Sequence, residues 1–135
     1  MTDFRTQSRR QVFRYLQVGF AGFVTDVAVL SALVYGMSLG ETETGLVGSR
    51  FVSFLAAVTV TFILNARYTF GASIRDSRFP IYVLVQSLGA AITLGSYTAL
   101  VLYTSLAKAP VVALIIGSAA ATTSNYLLVR RFVYV

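Results

Sequence analysis

The chain is a succession of long apolar runs separated by short polar stretches. Four runs, at about 15–37, 46–66, 81–106 and 111–129, each approach the roughly 20 residues a helix needs to cross the hydrocarbon core of a bilayer. Inside the runs the small and polar residues recur at three or four positions. In the second, Arg50, Ser53, Ala57, Thr61 and Asn65 share one helical face. Gly19, Gly22 and Asp26 do so in the first, Gln86, Ala90, Thr93 and Tyr97 in the third, and Ser118, Thr122 and Asn125 in the fourth. The pattern predicts an all-α membrane protein of four transmembrane helices, each with one small or polar stripe on a lipid-like surface. An open strand is excluded, because its backbone groups would go unpaired in lipid. Pro80 and Pro110 stand at the start of a run, where a missing N–H costs little. Gly40-Glu41-Thr42-Glu43-Thr44-Gly45 is expected to turn the chain, and Ala107-Lys108-Ala109 to turn it more tightly.

Charge at the flanks orients these helices. Arg5, Arg9, Arg10 and Arg14 precede the first run, Arg67, Arg75 and Arg78 surround the middle connection, and Arg130 and Arg131 follow the last. The other two connections hold Glu41, Glu43 and Lys108. Arginine stays on the cytoplasmic side, so both termini and the middle connection are expected in the cytoplasm. Four crossings require the same parity. Phe and Tyr at 13, 15, 68, 70, 79, 82, 132 and 134 are expected to form an aromatic belt on that side. Two helix exits look alike: Phe62-Ile63-Leu64-Asn65-Ala66-Arg67-Tyr68-Thr69-Phe70, and Tyr126-Leu127-Leu128-Val129-Arg130-Arg131-Phe132-Val133-Tyr134. Each runs from an apolar helix through arginine to aromatics, which points to two parallel copies of one hairpin. The first run is too long for the apolar core of a signal peptide and is taken as a retained helix.

Composition narrows the function. Of 135 residues, 56% are hydrophobic and 12% charged, half the charge of a typical soluble domain. Mean hydropathy is +0.74. One domain over 1–135 is expected. Neither cysteine nor histidine is present, which removes disulfides, thiolate metal sites and the commonest general base. No phosphate-cradling glycine loop follows a strand. These absences argue against an enzyme, a metal site or a cofactor. The net charge of +6 flanks apolar spans, so anionic lipid headgroups rather than nucleic acid are the expected partner.

Asp26 is the costliest residue. It lies about 16 Å beyond Tyr15 at 1.5 Å per residue, near the middle of a ~30 Å core, where aspartate costs about 2.5–3.5 kcal/mol. Arg50 is its natural partner. The pair reads either as a bridge locking the first hairpin or as a polar site for substrate or protons. Helix packing accounts for Ser53, Thr93, Ser118 and Thr122, whereas Asn65, Gln86 and Asn125 are candidates for a hydrophilic groove. Arg67 and Arg131 sit between a helix end and aromatics, where a guanidinium either only marks topology or holds phosphate bidentately. Arg5, Arg9 and Arg10 are read as headgroup contacts.

These residues carry a resemblance. Arg14-Tyr15-Leu16-Gln17-Val18-Gly19, Thr25-Asp26-Val27 and the two exits resemble the GtrA-like family of small four-helix membrane proteins, over about 13–134. The second exit departs from the first in having Val129 where the first has Asn65. The resemblance implies movement of a polyprenyl-phosphate-linked sugar across the cytoplasmic membrane for cell-surface glycosylation, beside a membrane glycosyltransferase. Asp26, Asn65 and Gln86 would suit sugar hydroxyls, and Arg67, Arg131 or Arg50 the phosphate. Two other readings are a non-transporting adaptor for a glycosyltransferase and a small multidrug exporter. The exporter fits poorly, since Trp is absent and Arg50 would repel a cation. Four helices are thin cover for a sugar phosphate, so a homodimer is expected.

Overall fold

The structure, a computed structural model, describes residues 4–134. Four long helices make up most of it: α1 Phe4–Ser31, α2 Glu43–Leu64, α3 Phe79–Tyr103 and α4 Pro110–Phe132. No strand occurs among the described residues. All four helices are long and apolar enough to cross a membrane. Their outward residues are those of a lipid-facing surface: Phe20, Phe23, Leu84, Leu94, Leu102 and Ile115 are all exposed. The buried set includes Ser49, Ser53, Asn65, Thr69 and Asn125. Apolar outside with polar groups inside reverses the usual order for a protein in water.

The helices differ from the expected spans at their ends. α1 starts at Phe4, well before position 15, because nothing in Phe4-Arg5-Thr6-Gln7-Ser8-Arg9-Arg10-Gln11 breaks a helix. The first and third connections turn through short 3₁₀ segments, Leu39–Glu41 and Ser105–Lys108. Thr42 caps α2 by accepting the Gly45 N–H at 3.0 Å, and Thr104 caps the second turn by accepting the Leu106 N–H at 3.2 Å. A single wide turn ends each of the first two long helices, Ala32–Gly36 after α1 and Asn65–Thr69 after α2. There the N–H bonds five residues back, Met37 to Ala32 and Phe70 to Asn65. Hydroxyls inside the spans bond their own helix: Thr25 to the Ala21 carbonyl, Thr59 to Leu55, Thr93 to Gly89 and Thr123 to Ala119. Each therefore enters lipid already paired.

The described residues divide into two compact units, one ending at Arg75 and the other beginning at Asp76. In the first, α1 packs on α2, and Gly22 leaves room for Thr61, whose Cγ2 fills the place a Cβ would take. In the second, α3 packs on α4, and Gly89 likewise leaves room for the Asn125 carboxamide. Many of the buried positions correspond, although buried Ala66 falls opposite exposed Arg130. Tyr15, Val18 and Gly22 are matched by Tyr82, Val85 and Gly89, and Ser53, Phe62, Asn65 and Thr69 by Gly117, Tyr126, Val129 and Val133. At one end of each unit two rings meet, Tyr15 with Phe70 at 6.5 Å between centroids and Tyr82 with Tyr134 at 6.1 Å. Tyr15, Tyr82 and Tyr134 are thus interior closures of their hairpins, not members of a lipid-facing belt.

Candidate functional site

The first unit carries the ion pair. Asp26 lies on α1 and Arg50 on α2, two turns into that helix, and Arg50 Nη1 stands 2.5 Å from Asp26 Oδ1. Arg50 Nη1 also donates to Ser53 Oγ at 3.1 Å, and the Ser53 hydroxyl donates to the Arg50 carbonyl at 3.0 Å. Ser53, read from sequence as plain packing, is therefore part of this cluster and fully buried. The ion pair is not sealed: the Asp26 side chain is 22% exposed and that of Arg50 is 56% exposed. An open ion pair within a span needs water or a polar occupant beside it, since lipid tails offer neither charge nor hydrogen bonds. Neighbouring Ser49 is buried, and its hydroxyl has no hydrogen-bond partner.

Asn65 ends the same helical stripe but does not open onto the ion pair. It is buried, and its side-chain oxygen accepts the Thr69 hydroxyl at 2.8 Å. Arg67, two residues on, is exposed in the same wide turn.

In the second unit Gln86 and Asn125 come together, as their spacing along the chain did not announce. Asn125 Nδ2 donates to Gln86 Oε1 at 3.3 Å, while Asn125 Oδ1 is buried without a partner. A lone amide oxygen of this kind is ready to accept a hydroxyl. Thr93 and Leu114 occupy the positions that correspond to Asp26 and Arg50. They line an apolar groove of about 480 Å³ with Ala90, Leu94, Tyr97 and Val111. One unit thus has a charged pair where the other has an apolar groove. Arg131 is exposed and lies over the ring of Phe132, 5.5 Å from its centroid.

Sequence reasoning missed a third cluster. Arg14 Nη1 donates to the Tyr68 carbonyl at 3.1 Å, its guanidinium lies 4.9 Å from the Tyr68 ring centroid, and the Tyr68 hydroxyl donates to Gln17 Oε1 at 2.8 Å. The i, i+3 spacing of Arg14 and Gln17 on one helical face was the available signal. Arg14 also lines a crevice of about 310 Å³ with Gln7, Arg10, Gln11, Thr69, Phe70 and Gly71. Arg9 and Arg10 are exposed. The side chain of Arg5 lies outside the described residues.

Comparison with known proteins agrees with the family read from the helix exits. The family model described as GtrA/DPMS, transmembrane domain, matches residues 14–134. The bactoprenol-linked glucose translocase of Shigella phage SfV is 35% identical over 63 residues, 44% of this chain and 52% of that protein. The protein of the same name from Shigella phage SfX is 33% identical over the same lengths. The chain spans about half the length of the curated relatives it matches. No solved structure matches it significantly.

Proposed function

The chain belongs to the GtrA/DPMS transmembrane-domain family, and from this premise we propose that it carries a polyprenyl-phosphate-linked monosaccharide across the cytoplasmic membrane. The observation that carries the reading is the open Asp26–Arg50 pair within two apolar helices. A lipid-linked sugar has a long apolar tail that can stay in lipid and a polar head that must not. A charged, partly open seam inside the spans offers the head hydrogen bonds along the way. The relatives' name, translocase of a bactoprenol-linked sugar, supports the same substrate class. Cation export is disfavoured because Arg50 already occupies the Asp26 carboxylate.

In this reading the family domain extends over 1–135 as two parallel copies of one hairpin, with both termini and the connection around Arg75 in the cytoplasm of the inner membrane. The correspondence of buried positions between the units supports the duplication, and the arginine distribution supports the orientation. Asp26 and Arg50 take the sugar hydroxyls and phosphate in transit, and Gln86 with Asn125 offers a second hydroxyl site. Asn65 holds the exit turn in shape, and Arg67 and Arg131 form basic edges that draw in phosphate and anionic lipid. A membrane glycosyltransferase uses the delivered sugar, and two copies of the chain together enclose the head.

The test is reconstitution of the full chain in proteoliposomes loaded with lipid-linked glucose on one leaflet. Sugar should become accessible on the other leaflet well above the rate in empty vesicles, and Asp26→Asn with Arg50→Gln should lower that rate at least tenfold. A rate equal to that of empty vesicles sinks the proposal and leaves the adaptor role. In that case the double variant should still support glycosylation in cells.

A further inference from the structure

The crevice beside Arg14 has a shape and chemistry that neither topology nor packing requires. Its walls come from the first turns of α1, through Gln7, Arg10 and Arg14, and from the exit of α2, through Thr69, Phe70 and Gly71. The chain bends away at Gly71, whose φ of +60° favours glycine. A Cβ there would meet nothing within 4 Å, so this side of the crevice is open. Phe70, in edge contact with buried Tyr15, supplies an apolar wall. Arg10 and Arg14 lie one helical turn apart on one face and supply two positive charges.

Arg14 is not a loose, snorkelling cation. It is held by the Tyr68 carbonyl at 3.1 Å and lies over the Tyr68 ring, while Gln17 holds the Tyr68 hydroxyl. One of its five N–H donors is used in this way, which leaves a fixed fork for a planar pair of oxygens. Among the described residues of the first unit, no carboxylate balances these charges. Asp26, Glu41 and Glu43 are the carboxylates among the described residues of the first unit. The first is paired with Arg50, and the other two lie at the far end of α2. Asp26 is about 18 Å from Arg14 along α1 by helix rise.

We propose that this crevice is the loading site of the lipid-linked substrate, where Arg10 and Arg14 hold its phosphate before the head reaches Asp26 and Arg50. The inference rests on the translocation reading for the identity of the lipid. The chemistry required is a phosphate oxyanion next to an apolar chain. The guanidinium fork meets the phosphate bidentately, and Phe70 meets the first carbons of the tail. A volume of about 310 Å³ lies at the small end of the roughly 300–1,000 Å³ range of ligand pockets, which suits a head and not a polyprenyl tail. Arg67 and Arg131, the arginines singled out by their aromatic neighbours, do not line the crevice. In this assignment they attract the lipid and Arg10 with Arg14 binds it.

The experiment is equilibrium binding of radiolabelled undecaprenyl phosphate to the full chain in phosphatidylcholine nanodiscs, with inorganic phosphate and phosphatidylglycerol as competitors. Arg10→Ala and Arg14→Ala should each weaken binding at least tenfold, and Arg14→Lys should fall between Arg14→Ala and the parent. The Arg75→Ala/Arg78→Ala variant removes as much charge outside the crevice and should stay within twofold. Inorganic phosphate should compete only weakly, and phosphatidylglycerol at equal mole fraction should not displace the probe. Parent-like binding by Arg10→Ala and Arg14→Ala overturns the site. So does an equal loss in the Arg75/Arg78 variant, which would reveal diffuse charge attraction. Displacement by phosphatidylglycerol as effective as by unlabelled probe makes it a general headgroup site and overturns the substrate assignment. The translocation reading is judged separately. Arginine-dependent binding without flux in proteoliposomes keeps the site and removes the transporter, whereas flux that survives both alanine variants keeps the transporter and removes the site.

Discussion

Arg50 reaches from α2 to Asp26 on α1, and the 2.5 Å contact between Nη1 and Oδ1 ties the two helices together within their membrane-spanning length. The two partners are not equivalent. Arg50 retains Ser53 if Asp26 is lost, whereas Asp26 has no second partner of that kind among the described residues. Arg50→Ala should therefore destabilise the protein more than Asp26→Asn, by up to the roughly 2.5–3.5 kcal/mol that bare aspartate costs in a span. The Asp26→Asn/Arg50→Gln variant should recover part of that loss. Unfolding in detergent, run as a double-mutant cycle, checks the order. Equal effects of the two single changes would contradict the asymmetry.

Gly89 and Asn125 make a separate prediction. A methyl at position 89 would overlap the Asn125 carboxamide and should cost about 1–3 kcal/mol by overpacking. Truncating the obstacle should restore the seat, so Gly89→Ala/Asn125→Ala should be more stable than Gly89→Ala alone. Melting temperatures of the two variants and the parent in one detergent decide the point.

The exit of α2 offers a swap suggested by the other unit. Asn65 and Thr69 bond each other at 2.8 Å while buried, and their counterparts are Val129 and Val133, also buried. Asn65→Val alone leaves the Thr69 hydroxyl without this partner and should cost about 1–3 kcal/mol. Asn65→Val/Thr69→Val should recover part of that loss. Chemical unfolding of the two variants and the parent measures the difference.

Orientation is directly testable because the chain has no cysteine. A cysteine at Ser73 or Ser77 should react with an impermeant maleimide only after the cytoplasmic side is opened. One at Thr42 or Thr44 should react in intact cells. The reverse labelling would invert the proposed topology.

Much of this was legible from the chain. The four helices follow from run length, because little else satisfies backbone groups in lipid. The Asp26–Arg50 pair was legible because one charge inside a span restricts the choice of partner, and Arg50 is the only cation in reach on the neighbouring helix. The Gln86–Asn125 bond was not, since stripe residues face many neighbours and only the seat at Gly89 selects this one. From sequence Arg14 reads as a topology marker, because arginine at a helix start normally is one. Its anchoring by Tyr68 depends on where the wide turn carries the α2 exit, and a five-residue backward hydrogen bond leaves no signature in hydropathy. The likeness of the hairpins was visible only at their exits, because lipid-facing residues dilute it elsewhere and burial picks out the positions that match.

The wide turn at Asn65–Thr69 has a mechanical meaning. It takes up one more residue per turn than an α-helix does, so it stores slack. Tightening to α pitch would pay that residue out and swing everything beyond it by about 100°. Thr69, Phe70 and Gly71 would turn with it, and they are one jaw of the crevice whose other jaw is the straight shaft of α1. Such a rotation would move the Thr69–Gly71 wall of the crevice against α1, with neither helix having to slide.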